Sequence, residues 1–126
     1  MSETVVLVAD DDDDILLLIT TRLRRDGFDV ITARDGEEAL ALAQERRPDV
    51  AVLDIGMPKL DGLEVLHRIR ADETLKAIRV LLLTAKAQES DVRRGHDAGA
   101  DAYVRKPFSP AELSARVREL AEGEGD

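Results

Sequence analysis

Short continuous apolar runs alternate along the chain with stretches whose apolar residues recur every three or four positions. The runs are Val5-Val6-Leu7-Val8, Phe28 to Ile31, Val50-Ala51-Val52-Leu53, Val80-Leu81-Leu82-Leu83 and Ala102-Tyr103-Val104. Most are unbroken and several are Val-rich, which is how strands buried on both faces of a parallel sheet read. Helical patterns fill the gaps. Ile15, Ile19 and Leu23 share one face, and Gly27 ends that helix. Asp35 with Glu38 forms a cap ahead of Ala39, Leu40 and Ala43. Asp61 caps a third helix with Leu66 and Ile69 inward. Ser109-Pro110-Ala111-Glu112 is a capping box with proline at the first helical position, followed by Leu113, Val117 and Leu120. The weakest helix is the fourth, between Gln88 and Gly99. Val92 is its only large aliphatic, and Gly95 interrupts it at a cost of about 1 kcal/mol relative to alanine.

This rhythm predicts an α/β fold of five βα units, a doubly wound three-layer sandwich with helices on both faces of a parallel five-stranded sheet. The 126 residues suffice for one domain, expected over residues 1–122, with 123–126 as a frayed acidic tail. Lys and Arg number 18 against 27 Asp and Glu, a net charge of −9. Such a surface repels phosphate backbones and argues against direct nucleic-acid binding. There is no cysteine, which excludes disulfides, thiolate metal sites and cysteine nucleophiles. No apolar run reaches transmembrane length and no secretory signal pattern opens the chain, so a cytoplasmic location away from membranes is expected.

In doubly wound sheets ligands bind outside the carboxyl ends of the strands. Those ends carry Asp10 and Asp11 after the first strand, Asp54 after the third, Thr84 after the fourth and Lys106 after the fifth. Two carboxylates about 4 Å apart repel by roughly 4 kcal/mol at an effective dielectric of about 20. The cluster must therefore protonate or bind a cation. An all-oxygen donor set without His or Cys favours a hard ion, Mg²⁺ or Mn²⁺. A phosphoryl group on one aspartate would complete that shell, with the Lys106 ammonium and the Thr84 hydroxyl suited to its remaining oxygens. Asp12, Asp13 and Asp14 are read instead as acids of a helix N-terminus.

These residues, with Met57-Pro58-Lys59-Leu60-Asp61-Gly62, Leu83-Thr84-Ala85, Ala98-Gly99-Ala100-Asp101 and Tyr103-Val104-Arg105-Lys106-Pro107-Phe108, give the chain its resemblance to a response-regulator receiver domain of bacterial two-component signalling. The match runs in order over nearly the whole chain. The resemblance implies a CheY-like, flavodoxin-like sheet of order 2-1-3-4-5. It implies that Asp54 is the phosphoacceptor, that Asp11, Asp54 and the Gly56 backbone carbonyl ligate Mg²⁺, and that Asp10 acts on the ion through water. Thr84 and Lys106 would hold the phosphoryl group, Thr84 and Tyr103 would form the switch, and Lys106–Pro107 would be a cis peptide. The implied donor is a sensor histidine kinase or phosphotransfer protein. The implied output passes to a protein effector through the fourth helix, fifth strand and fifth helix.

Glu112, Arg116 and Arg118 match the charged pattern through which winged-helix regulators dimerise, but Ala102 stands where those relatives carry an aspartate. A monomer or weak dimer is therefore expected. So is an absence of turnover on any external substrate, since the only chemistry implied is self-phosphorylation and self-dephosphorylation at Asp54. An aspartyl-phosphate phosphatase would need a second acid near the nucleophile, and Gly56 lies two positions after Asp54. An interaction module that is never phosphorylated would not need Asp11, Asp54 and Lys106 together.

Overall fold

The computed structural model of the chain describes residues 3–85 and 99–123. The helix expected between Gln88 and Gly99 falls outside them apart from Gly99 itself, as does the end of the expected acidic tail. Among the described residues nine elements follow one another: β1 (Val5–Ala9), α1 (Asp13–Arg25), β2 (Asp29–Ala33), α2 (Gly36–Arg46), β3 (Val50–Asp54), α3 (Gly62–Ala71), β4 (Arg79–Thr84), β5 (Ala102–Arg105) and α4 (Pro110–Ala121). Thus α4 is the helix that the sequence pattern makes the fifth. The strands form one parallel sheet of order β2-β1-β3-β4-β5. This is the doubly wound arrangement expected from the apolar runs.

Alternation along each strand divides the core between two faces. Leu7, Ala9, Ala51, Leu53, Val80 and Leu82 meet Ala39, Ala43, Val65, Leu66 and Ile69 of α2 and α3. Val6, Val8, Val52, Leu81, Leu83 and Val104 meet Leu16, Ile19 and Leu23 of α1 and Leu113 and Val117 of α4. The buried stripe of α1 is Leu16, Ile19, Thr20 and Leu23, with Ile15 only half-buried. Five consecutive aliphatics, Ile15 to Ile19, cannot all face one side of a helix. Leu17 and Leu18 are left 66% and 45% exposed.

Each helix starts where its cap stands. Asp12 accepts from the Asp14 and Ile15 amides, Asp35 from Glu38, Asp61 from Glu64 and Ser109 from Glu112. Gly27, at φ 98°, turns the chain out of α1. Phe28 is buried but precedes β2 rather than opening it. Arg118 donates to the Asp26 carbonyl at 2.7 Å and lies over the Phe28 ring at 4.7 Å from its centroid. Asp26 in turn accepts from Arg22 and from the Ser114 hydroxyl, tying α1 to α4.

On the opposite face Arg70, at the end of α3, donates to the carbonyls of Lys76, Ile78 and Gly99 and to the Asp101 carboxylate at 2.7–3.1 Å. Asp101 also accepts from the Val80 amide. One guanidinium thus joins α3, the turn before β4 and the approach to β5.

Candidate functional site

Parallel strands of nearly equal length end together, and β1, β3 and β4 deliver Asp10, Asp54 and Thr84 to the same edge. Asp54 is the last residue of β3, in register with Leu83, and Thr84 is the last residue of β4, in register with Arg105. The Ile55 amide donates to the Leu83 carbonyl and the Lys106 amide to the Thr84 carbonyl, extending the ladder one step past the side chains that matter. All three residues are almost fully buried, at 0% for Asp10, 6% for Asp54 and 1% for Thr84.

The carboxylates of Asp10, Asp11 and Asp54 each place an oxygen within 4.8 Å of the other two. Asp10 and Asp54 are buried and Asp11 is exposed. The Lys106 Nζ lies 3.2 Å from Asp10 Oδ2 and 3.4 Å from Asp54 Oδ1. Asp10 Oδ1 accepts from the Asp12 amide at 2.9 Å, so both Asp10 oxygens are engaged by the protein. Asp54 Oδ1 also accepts from the Gly56 amide at 3.3 Å. Among the described residues no donor reaches the Gly56 carbonyl. The Lys106–Pro107 peptide is cis.

Burial, and then the Asp10 carboxylate beside it, push the Asp54 carboxyl above the ordinary range, against the pull of Lys106 and the Gly56 amide. Burial works to lower the Lys106 ammonium, but the Asp54 and Asp10 carboxylates together outweigh it and hold the amine above its usual value. One ammonium between two buried carboxylates, with a third alongside, leaves the site short of positive charge. Its donors are carboxylate oxygens, a set that fits a small hard divalent cation.

Tyr103 is half-buried on β5, in register with Leu82, and packs against the α2/α3 side of the core. It stands back from the edge, two register positions short of Thr84 and three residues before Lys106. The exposed pair Leu17 and Leu18, absent from the sequence-based site, flanks a depression shared with Asp14, Thr21, Arg22, Arg25 and Pro110. The five-residue aliphatic run at 15–19 was its only sequence signal.

A parallel 2-1-3-4-5 sheet with acids, a threonine and a lysine at its carboxyl edge defines a class, and the comparisons name it. The family described as response regulator receiver domain matches residues 6–118, and the chain belongs to that family. The alkaline phosphatase synthesis transcriptional regulatory protein PhoP of Bacillus subtilis is 50% identical over 98 residues, 78% of this chain and 40% of the relative. A putative response regulator from Chloroflexus aurantiacus superposes with a TM-score of 0.90 at 35% identity, covering 96% of this chain and 99% of that one. The chemotaxis response regulator CheY4 of Vibrio cholerae gives 0.88 at 33% identity over 94% and 99%. The chain is therefore a CheY-like receiver of two-component signalling. It spans less than half the length of the curated relatives it matches.

Proposed function

We propose that Asp54 accepts a phosphoryl group from the phosphohistidine of a sensor histidine kinase or phosphotransfer protein, and that the change this makes at Thr84 and Tyr103 regulates a protein effector. The observation that carries the reading is Lys106, held between Asp10 and Asp54 with Asp11 alongside. In the transfer an Asp54 oxygen forms a bond to phosphorus as the phosphorus–nitrogen bond of the donor breaks, and the electron pair of that bond leaves on the imidazole. Lys106 stands beside the attacked carboxylate and can remain with the phosphoryl oxygens, where the Thr84 hydroxyl offers a further donor. Asp11, Asp54 and the Gly56 carbonyl would hold Mg²⁺, or Mn²⁺, directly. Asp10, whose oxygens already serve Lys106 and the Asp12 amide, would act through water. The bound cation supplies positive charge against the transferring phosphoryl group. No external substrate is turned over in this reading; attack of water on the phosphorus breaks its bond to the Asp54 oxygen, releases inorganic phosphate and frees Asp54 again.

A donor delivering to Asp54 must cover the surface around it. Leu17, Leu18 and Pro110 form an apolar patch close in the chain to the site residues, since α1 follows Asp10 and Asp11 and α4 follows Lys106. They suit contact with an apolar surface of such a donor, with Arg22 and Arg25 at the rim. The output surface in this reading is the segment 88–99 with β5 and α4. Of the charges there, Arg118 is already engaged by Asp26 and Phe28, and Arg116 pairs with Glu119 on its own helix at 3.5 Å. With Ala102 in place of an acid, this supports a monomer or weak dimer without phosphate. The acidic surface supports a role without direct nucleic-acid contact, and the cytoplasm is the compartment in which such donors act. No helix among the described residues is long and apolar enough to cross a membrane.

Incubation with a small phosphodonor and Mg²⁺, followed by mass spectrometry, tests the assignment. One hydroxylamine-labile phosphoryl group on Asp54, lost in Asp54→Asn, is expected. A label elsewhere in the wild-type chain overturns it.

A further inference from the structure

The loop after Asp54, residues 55–61, carries the Gly56 carbonyl, and it is held from outside the sheet edge. Its far end turns back at Gly62, whose amide donates to the Ile55 carbonyl at 3.0 Å. Its middle rests on the first residue of α2. The Gly36 amide donates to the Pro58 carbonyl at 3.3 Å, so the loop itself satisfies one of the amides that a helix N-terminus leaves unpaired. The Leu60 amide donates to the same carbonyl at 2.8 Å, Lys59 stands at φ 71°, and Lys59 Nζ reaches Asp35 Oδ2 at 3.7 Å. A Cβ on Gly36 would lie 1.8 Å from the Leu60 carbonyl oxygen and 2.5 Å from its carbon. Both are backbone atoms and cannot swing aside.

We infer that Gly36 is a positioning residue for the cation site: its missing side chain lets the loop seat on the start of α2 and so sets where the Gly56 carbonyl stands relative to Asp11 and Asp54. The inference rests on the proposed reading of the acidic cluster as a Mg²⁺ site. Any residue larger than glycine must push Leu60 away by about 1 Å, and a displacement of about 1 Å in a positioned group costs about a hundredfold where geometry is strict. Mg²⁺ and Mn²⁺ hold their ligands in a near-octahedral shell and tolerate such a shift poorly. Gly36 touches none of the carboxylates, so its effect must pass through the loop.

The test compares Mn²⁺ affinity, from the electron-spin-resonance signal of the free ion, in the wild type, in Gly36→Ala and in Val117→Ala. Val117→Ala is an equally core-directed lesion on the other face of the sheet. The expected result is Mn²⁺ affinity at least about tenfold weaker in Gly36→Ala and unchanged in Val117→Ala. Wild-type binding with equal affinity in folded Gly36→Ala overturns this inference alone. No Mn²⁺ binding by the wild type overturns the cation site itself and the inference with it. Should Gly36→Ala not fold, hydrogen exchange of the wild type decides. The Gly36 and Leu60 amides should exchange more slowly in saturating Mg²⁺, and unchanged exchange with a raised melting temperature overturns the coupling.

Discussion

Lys106 and Asp10, ninety-six positions apart in the chain, meet at 3.2 Å with the carboxylate fully buried. The Lys106 side chain is 25% exposed, so the pair lies between a solvent-screened bridge and a dry one. Lys106→Met should cost about 2 kcal/mol in urea melts without divalent ions, because Asp10 and Asp54 then face each other unneutralised. Added Mg²⁺ should restore more stability to this variant than it adds to the wild type. An unchanged urea midpoint would contradict the account.

The opposite sign is expected at Asp54. Its folded carboxyl is raised by burial and by Asp10, so the fold favours the protonated form. The stability from that form is present in acid and is lost as pH rises through the ordinary carboxyl range toward the raised value. Asp54→Asn should therefore stabilise the ion-free protein at neutral pH by on the order of 1 kcal/mol. The same variant should lose the thermal gain that the wild type shows with Mg²⁺, which for a ligand at a hundred times its Kd amounts to about 2.7 kcal/mol. Thermal melts with and without Mg²⁺ read both effects.

Asp26 titrates the other way. The Ser114 hydroxyl, and then Arg22, hold its carboxyl below the ordinary value of 3.8. Its contribution is present above that value and is lost as pH falls through the lowered one. Asp26→Asn should melt lower than the wild type at neutral pH and converge with it in strong acid. Parallel melting curves across the whole pH range would show that the link between α1 and α4 is not electrostatic.

Gly56 is exposed and offers no side chain over Asp54. Gly56→Met should exclude water from that side and slow loss of the phosphoryl group, leaving Mn²⁺ affinity intact because only a backbone atom is assigned to the ion. Equal decay in both proteins would remove this position from the control of lifetime.

Arg70 supplies donors to three carbonyls and one carboxylate. Arg70→Ala should destabilise the fold by about 2 kcal/mol, since the part-buried Ile78 and Gly99 carbonyls lose their charged partner together. Arg70→Lys should recover little, because a single ammonium cannot span the fork.

Local chemistry is what the sequence displays best. The caps at Asp35, Asp61 and Ser109 act within three residues, and each stands where its pattern places it. The strand cores are legible because burial on both faces leaves unbroken apolar runs. The acids, Thr84 and Lys106 are legible because a polar residue closing such a run has nowhere to go but the sheet edge. Contacts between distant backbones leave no such mark. Nothing in Asp35-Gly36 announces that the Leu60 carbonyl will press on it, and Arg70 reads as one more arginine at a helix end. Phe28 resembles a strand residue because it is large and apolar, yet its burial beside α4 is tertiary. Ile15 yields its place to Leu16 because a helix buries a stripe, and a run of five aliphatics does not say which two it will bury.

The two-sided burial of the strands carries a further consequence, for alignment. Where one face of a strand is polar, a slip of one residue is punished at every position. β1 is Val5-Val6-Leu7-Val8-Ala9, and its neighbour β3 opens Val50-Ala51-Val52-Leu53. Either could slide by one and still present hydrocarbon to both layers of helices. What forbids the slide is the polar residue at the end. Moving β1 one step would draw Asp10 into the place of Ala9, opposite Leu53 and Ala33, away from Lys106. An unpaired carboxylate there costs several kcal/mol. Asp10 after β1 and Asp54 at the end of β3 thus act as stops, keying these two strands to their neighbours.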